Sequence, residues 1–303
     1  MDKSYLNMQI NYSYLIKKTV FILPILVICF LSCQKEMVDV PFDPRPLMEE
    51  EILSAMENDY TQMEEKELAI SKDRNVFAQY AGPVTRYSHG ILGDAIEASQ
   101  LVVNVEGVFY QHDLSENFVF EDIRPRLVDV DLDGSLEFVC IRSHVDMGAG
   151  IAIYKIQDND LIEYAFVKEI GTRNRWLNIV AVDDLDNDGM IELTWIQTPH
   201  IGGILKVAKI QSGEMTVIDE TSLYSNHGIG EKNLCLSVLT ENGNAKRFYV
   251  PNQQRNKIVS FSFENELLSQ KEEIDIDVDF SIPLRDQYAF ENRIEQEDNC
   301  INP

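Results

Sequence analysis

Asp129, Asp131, Asp133, Gly134 and Glu137 are followed 55 positions later by Asp184, Asp186, Asp188, Gly189 and Glu192. The apolar runs beside them recur as well, RLVDVD as NIVAVDD and LEFVCIRSH as IELTWIQTPH. A second landmark keeps the same step, since His89, His144 and His200 are spaced by 55 and 56 residues. Two independent landmarks on one period indicate a repeated supersecondary unit. Such a unit cannot bury its faces alone and must stack on its neighbours.

Each period holds about four short β-rich runs. In one copy these are RLVDVD, LEFVCIRS, GIAIYKI and EYAFVKEI; in the next they are NIVAVDD, IELTWIQ, ILKVAKI and MTVIDE. A weaker copy reads NLCLSVL, KRFYVP, KIVSFSF and IDIDVDF. The expected fold is all-β, a β-propeller of four-stranded antiparallel blades over residues 76–295. Four blades are visible, and the diverged ends leave room for a fifth. The first unit starts at its second strand, in VFAQYAGPVTRYSH, so the C-terminal stretch SIPLRDQYAF is expected to supply its innermost strand and close the ring, hiding both sheet edges. Residues 296–303 are then a tail.

The acidic turns raise a chemical question, because crowded carboxylates repel unless a cation joins them. Asp129, Asp131 and Asp133 occupy loop positions 1, 3 and 5. Gly134 allows the bend, Ser135 offers a backbone carbonyl, and Glu137 returns a carboxylate. Asp184, Asp186, Asp188, Met190 and Glu192 repeat the set. An oxygen cage of this kind suits Ca2+. A solvated Asp-Gly hairpin would account for one such loop, but not for two in register. The corresponding turn of the weaker copy, TENGNAKRF around Asn242, has lost the pattern, so two structural calcium ions are expected and not three. An EF-hand would need Glu at position 12, where Cys140 and Trp195 stand, between flanks that read as strands. The segments DVDLDGSLE and DDLDNDGMIE resemble the FG-GAP/VCBS repeats of integrin-like propellers. That resemblance implies a calcium-stapled propeller serving adhesion, recognition or scaffolding.

Alternating turns of an antiparallel meander lie at opposite ends. The end away from the acidic loops therefore collects His89, His144 and His200, and His227 from the turn into the last unit. Arg86, Arg142, Arg173, Arg175 and Arg255 gather there too, with Trp176 and Tyr224 as candidate stacking surfaces. In a chain of net charge −25 this uneven distribution suggests a funnel for an anionic or polyhydroxylated ligand. The plainer account is that His-Gly and Asn-His-Gly are turn formers. Imidazoles from several blades could also hold a transition metal, but no H-x-H or H-E-x-x-H spacing supports it.

The N-terminus is of a different kind. Lys17 and Lys18 precede TVFILPILVICFLS, an apolar run too short and too Pro-interrupted for a comfortable span, which reads as a secretory signal over residues 1–32. Phe30, Leu31, Ser32 and Cys33 resemble a relaxed bacterial lipobox, with Phe30 in place of the usual Leu. The resemblance implies lipidation of Cys33 and a membrane partner through that anchor. Gln34 after the cysteine looks like an outer-membrane context, and QKE is similar to surface-export tags. The expected location is thus a bacterial outer-membrane lipoprotein, at the cell surface or periplasmic face. Residues 33–75 are acidic, with Leu47, Ile52, Met56 and Tyr60 at roughly helical spacing, and read as a tether carrying one marginal helix.

The acidic balance argues against a nucleic-acid partner. Cys140 and Cys235 sit in strand-like runs and read as buried free thiols. No G-x-S-x-G, Walker loop or strand-linked G-x-G-x-x-G occurs. The leading expectation is a ligand-recognition, adhesion or scaffold module whose partner is an extracellular protein or anionic glycan. The alternative is an extracellular hydrolase or lyase acting on polysaccharide or phosphate ester. In it, His89, His144, His200 or His227 would be the acid/base group, with Arg142 or Arg175 holding the anion. Convergence of the four imidazoles within a few ångströms of one shared pocket would favour the alternative, and imidazoles in separate places would leave it without support.

Overall fold

The computed structural model describes residues 49–58, 63, 66–93 and 95–292. The signal segment, Cys33, Leu47, Tyr60 and the tail lie outside them. No helix among the described residues is long and apolar enough to cross a membrane.

Among the described residues the chain is all-β apart from two short helices, and every strand pairing is antiparallel. The first unit comprises β1 (Ala69–Ser71), β2 (Val76–Val84), β3 (Glu97–Val105) and β4 (Val108–Asp113). The second comprises β5 (Phe118–Phe120), β6 (Arg126–Val128), β7 (Glu137–His144), β8 (Gly148–Gln157) and β9 (Asp160–Val167). The third runs through β10 (Leu177–Asp183), β11 (Ile191–Gln197), β12 (Ile204–Gln211) and β13 (Glu214–Ser222). The fourth holds β14 (Val238–Asn242), β15 (Ala245–Pro251), β16 (Lys257–Glu264) and β17 (Leu267–Asp275). The third and fourth units are separate four-stranded sheets, while β5 bridges β3 to β7 and merges the first two units into nine strands.

Burial explains the sequence texture. The inner strands β10 and β11 are buried almost end to end, because each is covered on both faces, and they read as unbroken apolar runs. The outer strands β13 and β17 are mostly exposed and carry charge instead. Hydrophobic clusters lie between successive sheets. Tyr80, Leu101, Phe138 and Tyr154 pack together between the first and second units. Val139, Ile151, Leu193 and Trp195 share a cluster between the second and third, and Leu205, Val207, Phe248 and Phe261 do so between the third and fourth. The result is a propeller-like stack of four antiparallel units.

Several expectations need correction. The C-terminal stretch does not complete the first unit. It forms irregular chain and a short α2 (Leu284–Gln287), and Phe280, Leu284 and Phe290 pack on Leu236, Val238 and Tyr249 of the last unit. The local apolar pattern there is satisfied by the nearest sheet, and no sheet among the described residues closes on itself. β17 also falls on LLSQKEEID, ahead of the IDIDVDF run expected to form it. Cys235 is disulfide-bonded, whereas Cys140 is a buried free thiol as expected. The helix is present as α1 (Glu49–Asn58), with Ile52 and Met56 wholly buried against Phe77, Ala81 and Val102, so it is docked on the first sheet. Gln79 Nε2 donates to the Met56 carbonyl at 2.9 Å and fixes that docking.

One irregularity positions the functional end. β5 and β6 both pair with the same edge of β7, one after the other, so residues 121–125 form a break in that strand line. Glu121 and Asp122 stand in the break with no exposed surface. Asp122 is satisfied by the Tyr80 hydroxyl at 2.9 Å, by the Ile141 N–H and by the Arg126 guanidinium. Glu121 faces the histidines.

Candidate functional site

The two acidic loops join β6 to β7 and β10 to β11, at the same end of adjacent units. Gly134 and Gly189 adopt φ of +94° and +82°, conformations that only glycine takes freely, as the turn requires. Backbone N–H groups then organise the carboxylates. Gly134 donates to Asp129 Oδ2 and Ser135 to Asp133 Oδ1, while Gly189 donates to Asp184 Oδ2 and Met190 to Asp188 Oδ1. Glu137 and Glu192 return from the next strand and accept from Val130 and Leu185, each through Oε2 at 2.8 Å.

What remains points inward. One oxygen each from Asp129, Asp131 and Glu137 lies within 4.8 Å of the others, and Asp184, Asp186 and Glu192 form the same triangle. Asp129 Oδ1, Glu137 Oε1 and Glu192 Oε1 are buried without any hydrogen-bond partner. Both glutamates are wholly buried, and burial pushes their carboxyls up to about 7, with the neighbouring aspartates adding to the effect. Unpartnered buried carboxylate oxygens are costly to leave unsatisfied. This donor set fits a hard divalent cation, and Asp129, Asp131, Glu137, Asp184, Asp186 and Glu192 are the residues that could hold one. Asp133 and Asp188 stand outside the triangles. The backbones of Ser135 and Met190 shape the turns.

At the opposite end the structure sorts the predicted residues into two groups. Around Trp176, His200 Nε2 and His227 Nδ1 are 3.0 Å apart, and His227 Nε2 is 2.7 Å from the Glu231 carbonyl. A carbonyl only accepts, so His227 Nε2 carries the proton, its Nδ1 accepts, and His200 donates through Nε2. The His200 and His227 rings lie 6.5 and 4.6 Å from the Trp176 ring. Burial pushes His227 down to about 3. It lowers His200 to about 4, with Arg255 and His89 adding positive charge nearby, so both are neutral at pH 7. His89 stands beside Glu121, with its Nδ1 2.7 Å from Glu121 Oε1. The other Glu121 oxygen accepts from Ser143 Oγ at 2.5 Å, and the Glu121 carbonyl accepts from Trp176 Nε1 at 2.9 Å. Glu121 therefore orients one imidazole and holds the indole that packs against the other two. Sequence reasoning missed it, because in FVFEDIRPR nothing marks this glutamate as buried.

The second group surrounds Phe118. Arg142 lies 4.5 Å from its ring centroid and pairs with Glu163 and Glu169. Arg86 donates to the Phe118 carbonyl through Nε and Nη2. The His144 ring meets Phe118 edge-on at 4.9 Å, and its Nδ1 accepts from the Asp146 N–H, as a turn-forming histidine would. Arg86, Arg142 and His144 are thus engaged within the fold and stand apart from the Trp176 group. Trp176 and Tyr224 are buried, Tyr224 edge-on to Phe261, so neither is an open stacking surface. Arg173 is exposed, and Arg175 donates to the Asn174 carbonyl. Arg255 is exposed with its guanidinium 4.1 Å over the Phe280 ring. The two groups of potential metal donors among the described residues are both carboxylate-only.

No family model matches the chain, and no curated protein matches it. Solved structures do. A Bacteroides uniformis protein described as a candidate 6-phosphogluconolactonase aligns over 69% of this chain and 56% of its own, at 13% identity and a TM-score of 0.40. The exotype rhamnogalacturonan lyase YesX aligns over 68% and 48%, at 9% identity and a TM-score of 0.41. The Pseudomonas aeruginosa periplasmic gluconolactonase PpgL aligns over 71% and 73%, at 10% identity and a TM-score of 0.33. The chain spans about half the length of the first two. Likeness at this level carries neither site nor substrate across.

Proposed function

We propose that the protein is an exported, lipid-anchored, calcium-stapled β-propeller whose histidine end is the acid–base site of a hydrolase or lyase acting on an anionic sugar or phosphate ester. The observation that carries the reading is Glu121, whose buried carboxylate holds His89 while its backbone carbonyl holds the Trp176 indole on which His200 and His227 pack. An imidazole held by a buried carboxylate has a fixed tautomer and direction, as a general base or acid requires. His200 and His227, held neutral by burial, are weak proton acceptors at neutral pH. The proton-transfer role therefore falls to His89, while His200 offers Nδ1 to a substrate hydroxyl and Arg255 supplies positive charge for an anion. Ca2+ in the two carboxylate triangles would neutralise the loops at the far end and rigidify the scaffold. Anchoring through Cys33 gives the location.

Recognition without turnover is the second reading, and one observation favours it. Both nitrogens of His227 are consumed within the fold, so it acts as a scaffold for His200 and not as a reactant. A panel of uronate oligosaccharides, sugar lactones and phosphate esters assayed with wild type, His89→Ala and His200→Gln separates the two. Turnover reduced at least ~100-fold in His89→Ala, with the melting temperature kept, supports the acid–base site. Saturable binding without turnover, weakened in His200→Gln, supports recognition. A panel that is neither bound nor turned over overturns both.

A further inference from the structure

Each acidic loop has a lysine built into it. Lys155 on β8 places Nζ 2.6 Å from Asp131 Oδ2, 3.2 Å from Asp133 Oδ2 and 3.9 Å from Glu137 Oε1. Lys209 on β12 places Nζ 2.5 Å from Asp188 Oδ2, 3.5 Å from Asp186 Oδ2 and 3.6 Å from Glu192 Oε1. The register makes this a property of the repeat. Lys209 is the cross-strand partner of Glu192, and Lys155 follows Tyr154, the partner of Phe138, so it stands opposite Glu137. In the fourth unit the carboxylates are gone and the lysine is gone with them. The position 54 residues beyond Lys209, as Lys209 is 54 beyond Lys155, is the buried Phe263.

We infer that Lys155 and Lys209 are intramolecular counter-cations that hold the loops together without metal and compete with the divalent ion for the same oxygens. This rests on the reading of the triangles as cation sites. Lys155, even with Arg74 Nη1 3.8 Å from Asp129 Oδ2, and Lys209 fall short of the four carboxylates of each loop, and they leave Glu137 Oε1 and Glu192 Oε1 without a hydrogen bond. Uncompensated charge and unpartnered oxygens for a further cation therefore remain. A divalent ion drawing on Asp131 or Asp186 must pull those oxygens away from the lysine, or push the flexible ammonium aside. The lysines thus weaken divalent binding and keep the ion-free loops from fraying.

Calorimetric titration of Ca2+ into chelator-stripped protein tests this, with Lys209→Met altered at one site and the Asp129 loop kept as reference in the same molecule. Lys209→Gln, measured in parallel, guards against a variant that fails to fold. The expected result is two sites in wild type and, in the variants, one of them tightened at least ~10-fold. The variant's melting temperature should fall in chelator and recover in excess Ca2+. An unchanged or weakened affinity, with two sites still present in wild type, overturns the competition while leaving the cation sites standing. No Ca2+ binding by any of the three proteins overturns the cation sites and the inference together.

Discussion

His227 shows how much one buried side chain can decide. Its ring has no exposed surface, both nitrogens are engaged, and burial pushes it from 6.5 down to about 3. In the unfolded chain the same ring titrates near 6.5, so between these values the unfolded state binds the extra proton. The stability it contributes is complete above pH 6.5 and is lost as pH falls toward 4, by roughly 3 kcal/mol at about 1.4 kcal/mol per pH unit. His200, lowered to about 4, acts with the same sign. Urea unfolding at pH 7 and pH 4.5 in wild type and His227→Gln checks this. The wild type should lose more stability on acidification than the variant. Subtracting the two cancels Glu137 and Glu192, whose raised carboxyls act in the opposite direction. Equal losses would refute the assignment. The histidines and their shared end were legible from turn alternation, since identical spacing forces identical ends. Glu121 and the two lysines were not, because their roles come from strand register and burial, which no run of neighbouring residues records.

At the scale of the element, each acidic loop is tied to a neighbouring unit. Arg74 Nη1 donates to the Gly134 carbonyl at 2.8 Å from the β1–β2 turn. Asn187 Nδ2 donates to the Asn244 carbonyl at 2.7 Å, and Lys246 Nζ bonds Asp183 at 2.8 Å, joining the third unit to the fourth. Ordering a loop by a bound ion therefore steadies two sheets. Asp186→Ala is expected to lower stability in Ca2+ by about 2–3 kcal/mol at ion concentrations near 100-fold over Kd, because the bound-ion stabilisation is lost. In chelator the same change removes the Lys209 contact and the Asp188 N–H acceptor but also a carboxylate that repels Glu192, so its effect should be smaller than in Ca2+. Chemical denaturation in both conditions provides the comparison, and equal losses would show that Asp186 acts only through Lys209 and the turn. The period, the loops and most strands were readable because carboxylates and apolar alternation coincide there. The start of the second unit and the last unit were less so. β5 and β6 divide one strand line between them, and the C-terminal apolar residues cover the nearest sheet instead of reaching across the molecule.

At the scale of the molecule, the first and fourth units meet through loops, not through a shared strand. The segment after β2 carries Ile91 and Leu92 into the cluster that holds Trp176, Leu177, Ile179 and Leu234, and the Gly230 N–H donates to the Ile91 carbonyl at 2.9 Å. The same segment carries His89, and Tyr87 on it accepts from the Asn174 N–H at 3.2 Å. One short loop thus links the unit at each end of the stack to the middle, and the candidate site is built on that link. Leu92 is 2% exposed, so Leu92→Ala removes buried contacts among three units and should cost about 2–5 kcal/mol. Ile229, 70% exposed in the facing loop, should tolerate alanine within about 0.5 kcal/mol. Calorimetric unfolding of both variants distinguishes a working link from an incidental one. A single cooperative transition moved down in Leu92→Ala alone is the expected outcome. A second, separate transition, or no shift at all, would mean that the stack holds without its loop and that the histidine end is assembled independently of it.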